Sequence, residues 1–134
     1  MKTINFNQTS LILYSAEEWL NKGYKMLGGY NRTFGEWNIH ILSSQKELEK
    51  VYINLFGKPL PPRIKWEHIL IHEYVHYLQH AKGCWDEMEP LGLGSIPLTK
   101  KFKGLYNSSK WAIEAEAYWV QKHPHLIKWK PPNI

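Results

Sequence analysis

Cysteine is nearly absent from this chain. Cys84 is the only one in 134 residues, so an intrachain disulfide is impossible and a structural zinc site built from two to four thiolates is excluded. Long apolar runs are missing too. The first residues, MKTINFNQTSLILYS, hold one lysine and an apolar stretch only from Leu11 to Tyr14, too short for a signal-peptide core or a membrane span. The expected setting is a reducing cytoplasm. No internal repeat and no low-complexity tract is present. Charge of one sign is not concentrated: the formal charge of +5 comes from scattered lysines apart from Lys100, Lys101 and Lys103. No basic stripe or aromatic-basic repeat marks a nucleic-acid surface, so nucleic acid is not an expected partner.

What remains is ordinary globular material, 43% hydrophobic and 22% charged, enough for one domain over residues 1–134. TSLILY at 9–14 is β-branched and apolar and reads as a strand. SAEEWLNKG then predicts a helix, with Ser15 and Glu18 in a capping box and Gly23 as the stop. Residues 24–35 read as loop or hairpin. EWNIHIL at 36–42 alternates Trp37, Ile39 and Ile41 against Asn38, His40 and Leu42, the pattern of a half-buried strand. Ser44 and Glu47 suggest a second capping box, followed by Leu48, Val51, Tyr52 and Leu55 at helical spacing up to Gly57. After the connector KPLPPR, a helix is expected from near Ile64 to Gly83. Residues 84–108 read as a long irregular segment, of the kind that more often serves function than merely connects. A last helix runs from about Ser109 to Lys122, where His123-Pro124 ends it, and Leu126, Ile127 and Trp129 of the tail are available to pack back. The predicted fold is α+β.

The stretch IHEYVHYLQHA carries His72, Glu73 and His76. Positions i and i+4 lie one turn apart on a helix, so both imidazoles can point at one ion. Glu73, one position on, is rotated away from that face: too far to bind the ion, near enough to deprotonate a water that the ion acidifies. Catalytic zinc takes three protein ligands and keeps one open position. The third ligand must come from elsewhere, with Glu114, Glu116, His123 and His125 as candidates. Glu114 and Glu116 stand about 200° apart around a helix and cannot both face the site. His68 and His80 extend the ladder on the same face; hydrogen bonding along a tyrosine-rich helix edge accounts for them better than a second metal. Asp86, Glu87 and Glu89 are available to receive the ligands' other ring N–H groups.

His72-Glu73-Tyr74-Val75-His76, followed by Glu114-Ala115-Glu116-Ala117-Tyr118, resembles the gluzincin metallopeptidases. The resemblance is greatest to the compact group that includes the CAAX-prenyl proteases and the repressor-cleaving immunity metallopeptidases of mobile elements. It covers residues 64–122. It implies a small antiparallel or mixed sheet packed on the motif helix and on a C-terminal helix bearing the glutamate. It also implies one Zn²⁺ per chain held by His72, His76 and Glu114, Glu73 as general base, a peptide or protein substrate, and Trp37–Leu42 as the edge strand that pairs with it. Glu116 would then point outward as a solvated or rim carboxylate. Tyr118 stands where the family has Asp or Asn; it is either a core residue or a donor to the transition-state oxyanion. Two other classes compete: a non-catalytic zinc-containing binding or regulatory protein of phage, plasmid or bacterial origin, and, last, a nucleic-acid module.

Overall fold

The computed structural model describes residues 1–33, 35–82, 90–93 and 111–134. Gly83, the acidic residues Asp86, Glu87 and Glu89, the cluster Lys100, Lys101 and Lys103, and Ser109 lie outside the described residues. Among those described are four strands, β1 (Lys2–Phe6), β2 (Thr9–Tyr14), β3 (Gly28–Thr33) and β4 (Glu36–Leu42). Four helices accompany them, α1 (Ala16–Asn21), α2 (Gln45–Phe56), α3 (Trp66–Ala81) and α4 (Trp111–Lys122), with a 3₁₀ turn at Pro124–Ile127. The α+β expectation is met by a mixed sheet of order β1-β2-β4-β3. The chain divides into two compact units, Met1–Leu70 and Ile71–Ile134.

The first unit holds the sheet. β1 and β2 pair antiparallel from Lys2↔Leu13 to Phe6↔Thr9, joined by Asn7-Gln8, in which Asn7 takes the left-handed φ of 52° that Asn tolerates better than most residues. β3 and β4 form the second antiparallel pair, and β2 and β4 lie parallel between them. Ser15 caps α1 in a full capping box with Glu18, as its spacing predicts. Ser44 caps α2 through the amide of Glu47, but the Glu47 side chain turns instead to the amide of Ala16 and to Lys50, so the second box is only half made. Gly57 closes α2 at φ 69°. Ile12, Tyr14, Trp19, Leu42, Leu48 and Val51 make the core of this unit, joined by Trp66 and Ile69 from the first turn of α3. Fully buried Trp19 donates its indole N–H to the Met26 carbonyl at 3.0 Å.

Two expectations are corrected in β4. The strand is not half-buried: Asn38 through Leu42 are all buried, because β4 is an interior strand with β2 on one side and β3 on the other. For the same reason Trp37–Leu42 is not an edge to which a substrate strand can pair; the edges are β1 and β3.

Burying His40 needs polar partners, and it has two: the Tyr14 hydroxyl lies 2.7 Å from Nδ1 and the Thr33 hydroxyl 3.0 Å from Nε2. Burial and the neighbouring Tyr24 push the Tyr14 phenol up to about 12, so it stays a donor to Nδ1 and leaves Nε2–H to donate to Thr33. Thr33 in turn donates to Asn31 at 3.2 Å. This chain accommodates a neutral imidazole. Burial, with Lys22 adding repulsion, lowers the His40 pKa from 6.5. The unfolded chain therefore takes up the proton first, and the stabilisation of the neutral form, complete above pH of about 6.5, is lost as the pH falls below it. Urea midpoints measured from pH 8 to pH 5 should fall, and the fall should be shallower in His40→Gln; equal slopes would show that His40 carries none of it.

Candidate metal centre

In the second unit α3 and α4 share a core of Ile71, Val75, Ala117 and Val120, against which Leu93, Leu126, Ile127 and Trp129 pack. The tail thus packs back on this core, an outcome its sequence left open. Fully buried Ala117 lies in that core against Ile71 and Val75. This packing sets Glu114 opposite the turn that carries His72 and His76.

The ligand atoms of His72, His76 and Glu114 all lie within 4.8 Å of one another, and no fourth His, Cys, Asp or Glu joins them among the described residues. The two oxygens of Glu114 divide between the rings, Oε2 at 3.2 Å from His72 Nε2 and Oε1 at 2.8 Å from His76 Nε2. In a tetrahedral zinc site with bonds near 2.0–2.1 Å, neighbouring ligand atoms stand about 3.3 Å apart. The donor set and the two Glu114–histidine distances suit a metal ion. They bear out a possible metal site at the three residues named from the sequence.

The electrostatics are those of a cation site. Burial alone would raise the Glu114 carboxyl, but hydrogen bonds from the two imidazoles hold it well below the usual carboxylate range. Burial pulls the His76 imidazole down, and the Glu114 and Glu73 carboxylates more than offset it, leaving His76 raised. The same nitrogen and oxygen atoms could serve a metal ion as ligands.

Glu73 is 9% exposed and stands outside the ligand set. Burial raises its pKa, the nearby His72 and His76 oppose that, and the Glu114 carboxylate reinforces it. A buried carboxylate with increased proton affinity beside a candidate metal centre has the character of a general base.

Each histidine is held from behind. His72 Nδ1 meets Oε1 of Gln121 at 3.0 Å and His76 Nδ1 meets Oε1 of Gln79 at 2.8 Å. These two glutamines take the supporting role considered for the acidic loop residues. Gln79, three residues after His76, was within helical reach of it; Gln121 was not legible, because its pairing depends on how two helices meet.

Glu116 corrects the sequence reading outright. It is not a solvated or rim carboxylate but fully buried, and it accepts four hydrogen bonds: from Gln79 Nε2 at 3.0 Å and from the amides of Leu91 at 2.6 Å, Gly92 at 2.9 Å and Leu93 at 3.2 Å. Tyr118 is not a core residue. It is 37% exposed, and its ring stands edge-on to the His72 imidazole with centroids 4.5 Å apart. Neither His68 nor His80 belongs to the ligand group. His123 donates Nδ1–H to the Trp119 carbonyl and stacks on the Trp119 ring, and His125 is exposed.

Compared with models of known protein families, with curated proteins and with solved structures, the chain matches none. No helix among the described residues is long and apolar enough to cross a membrane.

Proposed function

We propose that this protein is a zinc-dependent peptide hydrolase of the gluzincin kind, with His72, His76 and Glu114 as metal ligands and Glu73 as general base. The observation that carries the reading is the convergence of two imidazoles and one carboxylate beside a buried carboxylate of raised proton affinity. Zn²⁺ bound by these three side chains supplies Lewis acidity, which acidifies water and polarises a scissile carbonyl. Glu73 takes a proton from the attacking water and delivers it to the departing amine, so that hydroxide adds to the acyl carbon, the C–N bond breaks and the proton ends on nitrogen. The exposed Tyr118, packed on His72, is assigned as the donor to the negative charge developing on the carbonyl oxygen. Three protein ligands, with none further among the described residues, favour this over a closed, purely structural zinc centre, which takes four.

The test combines metal content with cleavage. Protein purified by gel filtration should carry close to one zinc per chain, and His76→Ala should carry none. Zinc-loaded wild type, incubated with a peptide library read by mass spectrometry, should generate new termini that vanish when the metal is chelated and return when zinc is restored. Cleavage that persists in metal-stripped protein, or wild type that takes up no zinc, would overturn the proposal.

A further inference from the structure

Behind the candidate centre lie two fully buried polar side chains, Gln79, which meets His76, and Glu116, for which the metal reading has no use. An amide side chain fits its site in two orientations unless its neighbours forbid one. Here they do. Gln79 Nε2 donates both of its hydrogens, one to the Ile113 carbonyl at 3.0 Å and one to Glu116 Oε1 at 3.0 Å. A flipped amide would set Oε1 against a carbonyl oxygen and a carboxylate at once. With the flip excluded, Gln79 Oε1 must face His76, and as an acceptor 2.8 Å from Nδ1 it requires a proton there. With Nδ1–H given to Gln79, Nε2 is the nitrogen directed at Glu114, and the proton it donates there is the one that a metal ion would replace.

Resting on the metal-site reading above, we infer that Glu116 and Gln79 are positioning residues of the centre: Glu116 fixes the Gln79 amide, and Gln79 fixes His76 in the tautomer that presents Nε2 to the metal. Glu116 is itself held by the amides of Leu91, Gly92 and Leu93. This ties the 90–93 segment to a ligand three hydrogen bonds away.

Zinc affinity, measured by competition with a chromophoric chelator on the full chain, tests the relay. Gln79→Met, which keeps the volume but has no amide, should weaken zinc binding by about 10- to 100-fold, the usual effect of losing the group behind a ligand histidine. Glu116→Gln, nearly isosteric, should weaken it by about 3- to 10-fold. If Glu116 acts through Gln79, the double variant should bind no more than about twofold worse than Gln79→Met alone. Losses that multiply in the double variant, or a Gln79→Met protein that binds zinc as wild type does, would overturn the relay while leaving the metal site intact. Wild type that binds no zinc would overturn the metal reading itself and the relay with it. A second measurement needs no variant: long-range ¹H–¹⁵N correlation on zinc-loaded wild type should show His76 protonated at Nδ1 and coordinated through Nε2, and coordination through Nδ1 would refute the assignment.

Discussion

Glu73→Gln should lose at least about 10²–10⁴-fold in turnover, the usual contribution of a positioned general base, while binding zinc as tightly as wild type within a small factor. The amide matches the carboxylate in size and cannot accept a proton from water. It lies outside the ligand set, so the three donors stay where they are. The same substitution should not weaken the fold. Burial raises the Glu73 pKa, which means that the ionised form is less stable in the folded protein than in the unfolded chain; at neutral pH a neutral amide removes that cost. Glu73→Gln is therefore expected to unfold at the same temperature as wild type or a higher one, the signature of a group kept for chemistry at the expense of stability. The comparison is a steady-state rate on a cleavable peptide, a zinc titration and a thermal melt on the same preparations. Full activity in Glu73→Gln would remove Glu73 from the mechanism; loss of zinc together with activity would make it a structural part of the site instead.

The site was more legible in the sequence than the sheet, and the reason is physical. His72, His76 and their offset Glu73 lie within five residues of one helix, where spacing fixes direction, and Ser15 with Glu18 makes its capping box within a similarly short span. The sheet depends on partners far along the chain. β1 shows only a weak inward pattern, with Phe6 its only buried residue, and gives no strand signal; Gly28 and Gly29, poor strand formers, make β3 read as loop or hairpin. β4 alternates as a half-buried strand should, yet its polar positions are interior because Tyr14 and Thr33, from two neighbouring strands, satisfy His40. Glu114 could be preferred to Glu116 by resemblance, but what Glu116 does instead could not be read, since its partners come from two other segments and three of them are backbone amides that carry no side-chain signature.

Glu116→Ala should be among the most destabilising single substitutions in the second unit, by about 3–5 kcal/mol, the range for removing one partner from a buried, hydrogen-bonded charge. Its carboxylate is fully buried and takes four N–H donors. Alanine would leave the Leu91, Gly92 and Leu93 amides and one hydrogen of Gln79 without an acceptor, and each buried donor left so costs about 1–3 kcal/mol unless water reaches it. Gly92 is an exposed residue, so water can reach its amide once the carboxylate is gone, which is why the expected total stays below the sum. Gly92 also holds φ at 83°, so that three successive amides can converge on one carboxylate; Gly92→Ala should cost about 1–2 kcal/mol by strain in that left-handed conformation alone. Urea unfolding of zinc-free protein separates these effects from metal binding, and Glu116→Gln should fall between alanine and wild type because its one remaining oxygen can keep part of the set. A loss below about 0.5 kcal/mol for Glu116→Ala is what a solvated rim carboxylate would give, and that result would mean the buried cradle does not persist in solution. A large loss would mean that the carboxylate two residues past the candidate ligand holds the 90–93 segment in place, and that the helix bearing Glu114 serves both metal chemistry and the integrity of the unit around it.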